Sequence, residues 1–429
     1  MVGTMAKIDD SVKKKVPELR FKGFTDEWED CKLGELASFS KGNGYTKNDL
    51  VEFGDPIILY GRLYTKYETV IEKVDTFVNK KDKSIISEGS EVIVPASGES
   101  SEDISRASVV GKSGIILGGD LNIIKPINYI DSIFLALTIS NGSQQKEMSR
   151  RAQGKSVVHL HNSDLKQVNI LYPKLEEQQK IGSFFKQLDN IIALHQRKLD
   201  LLKEQKKGFL QKMFPKNGAK VPELRFAGFA NDWEERKLED ISEIIDGDRG
   251  KNYPSGDDFK NNGHTLFLSA ANVTKQGFVF KETQYITKLK SESLGSGKVI
   301  LNDIILTSRG SIGHIGFYDK KTHEYIPQAR INSGMLILRT DKLNSPSFIA
   351  QFLKSPWGIK QIKLISFGSA QPQLTKKDIK NFKIILPKME EQEKIGSFFQ
   401  KLDDTIALHQ RKLDLLKEQK KGFLQKMFV

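Results

Sequence analysis

The chain carries the stretch KIGSFFKQLDNIIALHQRKLDLLKEQKKGFLQKMF from Lys180 to Phe214 and repeats it, almost letter for letter, as KIGSFFQKLDDTIALHQRKLDLLKEQKKGFLQKMF from Lys394 to Phe428. In both copies, mostly apolar residues recur at alternating spacings of four and three, which is the pattern of a helix in a coiled coil. The seam of the first copy, apolar except at His195 and Lys206, consists of Ile181, Phe185, Leu188, Ile192, His195, Leu199, Leu202, Lys206, Phe209 and Met213. The repeat therefore predicts two long helices that cover each other's apolar seams.

A second phrase is also repeated. KVPELRFKGFTDEWEDCKL from Lys15 returns as KVPELRFAGFANDWEERKL from Lys220, an offset of 220 − 15 = 205 residues, whereas the helical phrase has an offset of 394 − 180 = 214. The order of segment, variable domain and helix thus occurs twice. Its period is about half the chain and far exceeds the repeats of solenoid proteins. We interpret the chain as a tandem duplication of a whole module, an internal pseudo-two-fold.

Short apolar runs between Gly and Pro residues, such as SEVIVPASG, KSGIILGG and NFKIILP, predict strands in both variable regions. The expected fold class is α+β, with two tandem domains separated and joined by two long helices that form an antiparallel coiled coil. The predicted boundaries are an N-terminal extension at 1–14, a first domain at 15–173, a first helix at 174–214, a second domain at 215–387 and a second helix at 388–429.

The composition narrows the class of protein. Lys and Arg total 67 against 54 Asp and Glu, which gives a net charge of +13 and suits a polyanionic partner, although solvated lysines alone would give the same sum. The single cysteine, Cys31, excludes a disulfide framework and a Cys-rich zinc site. No apolar run approaches the roughly 20 residues that span a membrane. We expect a soluble cytoplasmic protein without membrane contact.

The two helical copies match beyond their seams. From Glu176 to Phe214, 34 of 39 positions are identical to the second copy, and the differing positions all lie off the seam. A helix pair that packs only on itself needs matched seams, not matched outer faces, so we interpret the outer faces as two surfaces for the same partner. A recent duplication or sequence exchange is the alternative. The candidate partner-binding residues are Arg197, Glu204, Lys207, Arg411, Glu418 and Lys421.

Loops that mix basic, amide and aromatic residues occur in both variable domains. Arg, Lys, Asn and Gln read base edges, whereas Ser, Thr and Lys contact phosphates. Each loop alone is more often an ordinary solvated turn, but their recurrence in a basic chain favours DNA binding. The candidates are Lys41, Asn43, Tyr45, Arg62, Tyr64 and Lys66 in the first domain, and Arg249, Lys251, Tyr253, Ser308, Arg309, Arg330 and Gln371 in the second.

Motifs for catalysis or metal binding are missing from the sequence. Gly154-Lys155-Ser156 lacks the glycine that a P-loop requires, because Ser149 stands at that position. There is no G-x-G-x-x-G after a strand, no Asn-Pro-Pro-aromatic motif and no H-E-x-x-H. His159 and His161 form an H-x-H pair, which we interpret as strand alternation or a DNA-facing loop rather than a metal site.

The chain resembles the specificity subunits of type I restriction–modification systems. The resemblance rests on the paired VPELRF.GF...WE..KL segments, the paired PK.EEQ.KIGSFF..LD helices and SFGSAQPQLTKKDIKNFKI from Ser366, and it spans nearly the whole chain. GSAQPQL from Gly368 fits the family pattern, whereas its counterpart GKSVVHL from Gly154 departs from it.

The resemblance implies that the variable regions are target recognition domains and that the helices are an antiparallel spacer. It further implies binding of double-stranded DNA, two methyltransferase subunits and two restriction subunits with motor activity. Those partners methylate adenine and restrict unmethylated DNA, and S-adenosylmethionine, ATP and Mg²⁺ are expected on them and not on this chain. Two unlike domains on a two-fold scaffold should read an asymmetric bipartite site.

Two other functions are compatible with the sequence. The chain could be a self-sufficient DNA methyltransferase or nuclease, against which the missing cofactor motifs speak. It could instead be a coiled-coil scaffold or an anti-restriction decoy that binds no particular DNA sequence.

Overall fold

The computed structural model describes residues 16–154, 157–216, 219–366 and 373–428. The chain divides into two compact units. Unit 1 comprises Met1–Arg197 and Gln410–Val429, and unit 2 comprises Lys198–His409. Each long helix is therefore shared, because its first part belongs to one unit and its last part to the other.

Unit 1 is an α+β structure with a five-stranded sheet in the order β2-β11-β7-β9-β5, a four-stranded sheet in the order β10-β4-β6-β3, and the pairs β1-β13 and β8-β12. Its strands are β1 (Glu29–Lys32), β2 (Ala37–Lys41), β3 (Leu50–Val51), β4 (Asp55–Ile58), β5 (Val70–Ile71), β6 (Phe77–Val78), β7 (Val92–Pro95), β8 (Ser97–Gly98), β9 (Ser108–Val110), β10 (Ile116–Leu117), β11 (Leu121–Pro126), β12 (Val158–His159) and β13 (Asn169–Tyr172). Its helices are α1 (Leu33–Leu36), α2 (Arg62–Thr65), α3 (Ser132–Ile139), α4 (Gly142–Arg151), α5 (Asn162–Leu165) and the first part of α6 (Leu175–Lys212).

Unit 2 has a four-stranded sheet in the order β15-β23-β20-β21, a three-stranded sheet in the order β19-β16-β22, and the pairs β14-β24 and β17-β18. Its strands are β14 (Glu234–Lys237), β15 (Ser242–Asp246), β16 (Thr265–Leu268), β17 (Val273–Thr274), β18 (Gly277–Phe278), β19 (Tyr285–Ile286), β20 (Ile304–Thr307), β21 (Ile315–Phe317), β22 (Ala329–Ile331), β23 (Met335–Thr340) and β24 (Lys383–Leu386). Its helices are α7 (Lys288–Glu292), α8 (Lys320–Tyr325), α9 (Pro346–Lys354), α10 (Pro356–Ser366), α11 (Lys376–Lys380) and the first part of α12 (Met389–Met427).

The apolar runs singled out in the sequence form strands, as predicted. SEVIVPASG contains β7, KSGIILGG contains β10, and NFKIILP contains β24. All four residues of β7 are buried, so this strand shows no alternation of apolar and polar residues. Burial on both faces explains why its sequence is a continuous apolar run.

The long helices pack antiparallel within each unit, which confirms the predicted coiled coil. In unit 1, Phe184 contacts Phe423 with ring centroids 5.2 Å apart, and farther along α6 the Asp189 carboxylate accepts a hydrogen bond from Lys420 at 2.5 Å. Residue numbers therefore increase along α6 while those of the contacting residues on α12 decrease, so the two helices run antiparallel. Every residue of the predicted seam is buried or partly buried, as is each counterpart on α12. The predicted ranges 174–214 and 388–429 are longer than the helices by one or two residues at each end.

The repeated VPELRF segment connects the ends of the two helices. In unit 1, Arg20 donates to both carboxylate oxygens of Glu177, at 2.8 and 2.6 Å, and the backbone N–H of Leu19 donates to the carbonyl oxygen of Lys426. Glu177 lies in the first turn of α6, and its side chain is only 1% exposed. The segment thus joins the start of α6 to the end of α12.

The same arrangement recurs in unit 2. Arg225 donates to both carboxylate oxygens of Glu391 at 2.7 Å, and the N–H of Leu224 donates to the carbonyl of Lys212. These contacts account for the presence of the arginine of the segment and the second glutamate of the helix start in both copies.

In each unit, one aspartate contacts both the partner helix and the adjacent domain. In unit 1, Asp189 accepts from Lys420 and, through its other oxygen, from Thr69 at 3.0 Å. In unit 2, Asp403 accepts from Lys206 at 2.5 Å and from Gln351 at 3.1 Å. In each aspartate, one carboxylate oxygen therefore accepts a hydrogen bond from the partner helix, and the other accepts one from the adjacent domain.

Candidate nucleic-acid interface and helix surface

In unit 2, several loops meet at the turn between β22 and β23. The backbone N–H groups of Ser308 and Arg309 both donate to the carbonyl of Gly334, at 2.8 and 3.2 Å. The exposed guanidinium of Arg309 donates through Nε to the side-chain oxygen of Gln373 at 3.2 Å. The carbonyl of Ser308 accepts from the N–H of Leu374 at 2.9 Å. Arg309 and Gln373 are thus presented as a pair.

The loop after β15 reaches the same turn. Arg249 donates to the carbonyl of Ser333 at 3.2 Å, and the Tyr253 hydroxyl accepts from the N–H of Ser333 at 3.4 Å. The Tyr253 ring packs edge-on against Phe267, with centroids 5.7 Å apart. Arg249, Tyr253, Arg309 and Gln373 therefore surround one turn, and Lys251 lies exposed in the same loop. Arginine and glutamine are the side chains that make bidentate contacts with guanine and adenine.

Asp248 holds this loop in place. Its carboxylate accepts hydrogen bonds from the N–H groups of Gly250, Gly295 and Ser296 at 2.7, 2.6 and 3.3 Å. The hydrogen bond from Gly250, followed by those from Gly295 and Ser296, lowers the pKa of Asp248. Because the charged form is favoured, the loop keeps its anchor at neutral pH.

Two of the predicted residues of unit 2 are buried. Arg330 donates to the Ser291 hydroxyl at 3.0 Å and to the Ser296 carbonyl at 2.7 Å, and its burial lowers the pKa of the guanidinium. Ser308 is 2% exposed. The structure therefore places Arg330 as an internal support for the loops, and it leaves the Ser308 side chain no surface for DNA. Gln371 lies outside the described residues.

Gln373 was missed in the sequence although it stands two positions after the predicted Gln371. The signal that could have found it is the alternation in QPQL, because alternate residues of an extended chain point to the same side.

In unit 1, the predicted residues of the first loop divide into exposed and buried members. Lys41 ends β2 and is exposed, and the exposed Asn43 donates to the carbonyl of Lys83 at 3.1 Å. Tyr45 is only 5% exposed, and its hydroxyl accepts from the N–H of Lys81 at 2.7 Å and lies 2.5 Å from the Ser84 hydroxyl. Tyr45 thus packs inside the loop, and Lys41 and Asn43 remain accessible.

Arg62, the arginine predicted to read the first half-site, is occupied by internal ion pairs. Its guanidinium donates to Glu68 at 2.7 Å and to Asp75 at 2.5 Å, and the side chain is 8% exposed. Asp75 also accepts from the exposed Lys66, and the hydrogen bonds from Lys66 and then Arg62 lower its pKa to about 2. The forked donors of Arg62 therefore stabilise their own segment, which is the opposite of what base reading requires.

Tyr64 lies beside this segment. Its ring packs edge-on against Tyr60 with centroids 6.2 Å apart, and burial raises the pKa of its hydroxyl.

The helix surface presents the predicted partner-binding residues to solvent. Arg197, Glu204, Lys207, Arg411, Glu418 and Lys421 are all exposed. Glu204 and Lys207 form an exposed ion pair of 3.5 Å on the surface of α6.

Four exposed leucines accompany them. In unit 1, Leu194 is 65% exposed and Leu415 is 52% exposed, and each lies five residues from the Asp189–Lys420 pair (194 − 189 and 420 − 415). In unit 2, Leu408 is 64% exposed and Leu201 is 52% exposed, each five residues from the Asp403–Lys206 pair. We call Leu194 with Leu415, and Leu408 with Leu201, the two leucine patches. Each unit therefore has the same two apolar residues at one level of its helix pair.

The described part of the chain contains neither a metal-binding group of side chains nor a membrane-spanning helix. Within residues 16–154, 157–216, 219–366 and 373–428, no group of three or more His, Cys, Asp or Glu side chains is placed to hold a metal ion. None of the helices in those ranges combines the length and apolar character needed to cross a membrane.

The fold defines a class of protein in which two α+β units, each with its own exposed loops, share two long antiparallel helices. The family model described as the type I restriction modification DNA specificity domain matches the chain twice, over residues 25–204 and 230–418. The chain belongs to this family.

Individual relatives support the assignment. The specificity subunit of the type I restriction enzyme MjaVIII from Methanocaldococcus jannaschii is 24% identical over 415 residues, covering 93% of this chain and 91% of that protein. The MjaIX specificity subunit of the same organism is 22% identical over 333 residues, covering 72% and 71%. The crystal structure of a type I S subunit from M. genitalium has a TM-score of 0.66 at 16% identity and covers 96% of this chain and 99% of that one, which shows the same fold.

Proposed function

We propose that this chain is the subunit of a type I restriction–modification complex that reads an asymmetric, bipartite site on double-stranded DNA, one half-site with each unit. The observation that carries the proposal is that the two units have the same contacts between the VPELRF segment and the long helices but different exposed loops. A duplicated frame with different reading side chains recognises two different half-sites.

Adenine methylation and DNA cleavage are assigned to the partner subunits. S-adenosylmethionine, ATP and Mg²⁺ are accordingly expected on those partners, and this chain acts without catalysis of its own in the cytoplasm. The relatives support this assignment, because their names describe specificity subunits of restriction enzymes. Methyl transfer to adenine by the purified chain alone would contradict it.

Arg309→Ala is expected to relax the reading of one half-site. Loss of a bidentate base contact reduces discrimination by about 1–3 kcal/mol, whereas loss of a phosphate contact weakens binding to all sequences alike. The measurement is binding of the chain, assembled with its methyltransferase subunits, to DNA in which either half-site is scrambled. Arg236→Ala, which removes an exposed arginine from β14, is the matched control for lost charge. Equal losses on every DNA, with a weaker salt dependence, would identify Arg309 as a phosphate contact.

We further propose that the leucine patches and the charged residues around them bind two methyltransferase subunits, one for each unit. Exposed apolar patches that are rimmed by polar residues mark sites of protein–protein interaction. Their recurrence in both units indicates two copies of one partner. The two restriction subunits join through this assembly.

Leu194→Asp with Leu415→Asp should therefore remove one methyltransferase subunit and leave the other. Leu408→Asp with Leu201→Asp should do the same for unit 2. Native mass spectrometry of the co-expressed subunits would detect accumulation of a one-to-one complex. Leu343→Asp is the control, because Leu343 is 78% exposed but lies outside the long helices.

Charge reversal at Glu204 and Lys207, or at Glu418 and Lys421, tests the flanking residues in the same assay. Complete two-to-one assembly in both leucine variants would show that the patches are not the partner surface.

A further inference from the structure

We infer that the exposed His159, positioned by the buried Ser97, is the base-reading residue of unit 1 and that these two residues correspond to Gln373 and Arg309 in unit 2. The inference rests on the proposed function. It assigns base reading to His159, which the sequence placed in an alternating strand or a DNA-facing loop, and it adds Ser97, only 8% exposed, as the residue that positions the imidazole. It also replaces Arg62 as the centre of the first recognition surface.

The correspondence begins with strand register. In unit 1, Pro95 at the end of β7 lies opposite Leu121 of β11, and the next N–H, that of Ala96, donates to Asp120. In unit 2, Thr307 at the end of β20 lies opposite Met335 of β23, and the N–H of Ser308 donates to Gly334. The two strand pairs therefore end in the same way, so that Ala96 corresponds to Ser308 and Ser97 corresponds to Arg309.

In each unit, a third segment forms a hydrogen bond with the residue that follows the strand, Ala96 after β7 and Ser308 after β20. The N–H of Leu160 donates to the carbonyl of Ala96 at 3.0 Å, and the N–H of Leu374 donates to the carbonyl of Ser308 at 2.9 Å. Leu160 and Leu374 thus occupy equivalent positions and end the phrases GKSVVHL and GSAQPQL. The residues immediately before them, His159 and Gln373, are therefore equivalent as well.

The side chains complete the match. Ser97 Oγ lies 3.3 Å from Nδ1 of His159, and Nε of Arg309 lies 3.2 Å from the side-chain oxygen of Gln373. In unit 1, Ser97 follows Ala96 and contacts His159, which precedes Leu160. In unit 2, Arg309 follows Ser308 and contacts Gln373, which precedes Leu374. Different side chains therefore occupy one geometric arrangement.

The surroundings of His159 suit DNA contact. Its side chain is exposed, and its ring stacks parallel to that of the exposed His161, with centroids 6.3 Å apart. Asn162 donates to the carbonyl of Ser40 at 2.9 Å, which ties this segment to the end of β2 and its exposed Lys41. Lys41, already predicted to bind DNA, thus belongs to the same surface and supplies a charge for phosphate.

The chemistry of the two pairs differs. Because Nδ1 of His159 faces Ser97, Nε2 is directed away from that contact and either donates or accepts, according to the tautomer. Arginine and glutamine instead present forked donors and acceptors that match guanine and adenine. Equivalent positions with unlike hydrogen-bonding groups should select different bases, which makes the bipartite site asymmetric.

The test is a selection of bound DNA from a pool of fully randomised duplexes, using the chain assembled with its methyltransferase subunits. Wild-type complex should enrich a two-part consensus. His159→Ala and Ser97→Ala should each relax one or two adjacent positions in one half-site by about tenfold and leave the other half-site unchanged. Gln373→Ala should relax the other half-site. His159→Gln introduces the amide that Gln373 supplies at the equivalent position of unit 2, and it should change the preferred base instead of abolishing the preference.

The outcomes separate the inference from the proposed function. A wild-type complex that enriches no consensus would contradict the function itself. An intact consensus in both His159→Ala and Ser97→Ala, together with a relaxed half-site in Gln373→Ala, would overturn the inference alone. Uniformly weaker binding of all DNA by His159→Ala, with an unchanged consensus, would also overturn it, because that result indicates a phosphate contact. Retained enrichment of the second half-site shows that each unit 1 variant is assembled, and wild-type hydrogen exchange in β7 and β11 shows that its unit 1 is folded.

Discussion

Phe428→Ala should destabilise unit 1, although Phe428 follows the second variable domain in the sequence. Phe428 is 5% exposed and contacts Phe134 and Phe185, with centroids 6.0 Å apart in both pairs. Removing a buried phenylalanine side chain costs about 3–5 kcal/mol, because apolar contacts are lost and a cavity remains. Hydrogen exchange measured by mass spectrometry should therefore show lost protection in β7, β11 and β13.

Phe214→Ala is the matched variant. The residue ends the identical phrase GFLQKMF, but it packs in unit 2 against Phe348, Phe399 and Trp233. We expect a loss of similar size, confined to the strands of unit 2. Binding to DNA with one half-site scrambled should separate the two variants. Phe428→Ala should impair reading by unit 1, and Phe214→Ala should impair reading by unit 2. Lost protection in unit 2 on mutation of Phe428 would contradict the assignment of the helix ends.

Glu177→Ala should have an effect of similar size in unit 1. The substitution leaves the guanidinium of Arg20, whose side chain is 12% exposed, without its two carboxylate acceptors. Removing one partner of a buried ion pair typically destabilises a protein by about 3–5 kcal/mol, because the other charge stays buried and unpaired. The measurement is the urea dependence of hydrogen exchange in unit 1, and Glu391→Ala should give the corresponding loss in unit 2.

Two further variants sharpen this test. Arg20→Met combined with Glu177→Leu should recover most of the stability, because an apolar pair of similar volume carries no desolvation penalty. Lys174→Ala removes a partner of the exposed ion pair with Asp26, which lies 2.7 Å away in the same part of unit 1, and should change nothing measurable. If Glu177→Ala behaved like Lys174→Ala, the Arg20–Glu177 contact would not be what joins the VPELRF segment to α6.

The two long helices and the strands β7, β10 and β24 were predictable because their signals are local. The four-three spacing of the seam from Ile181 to Met213 requires only helical geometry, and the apolar run of β7 requires only burial on both faces. The repeat of whole phrases likewise specified a duplicated module. The class of protein was predicted from the resemblance of those phrases to a known family.

The candidate residues for DNA contact were less predictable because a charged or aromatic side chain has no fixed partner in the sequence. Arg62 and Arg309 both stand in basic, aromatic loops, yet Arg62 is paired with Glu68 and Asp75 whereas Arg309 faces solvent beside Gln373. Nothing in the spacing of residues distinguishes them. Ser97 and His159 are 62 residues apart and meet only because β8 and β12 pair.

From the sequence alone follow the duplication, the helical seams, the α+β class and the family. The tertiary structure alone decides that the end of each long helix completes the core of the other module, and which loop side chains remain free for DNA. The physical reason is that periodicity is a property of neighbouring residues, whereas the partner of a buried phenylalanine or an arginine depends on which distant segments fold against it.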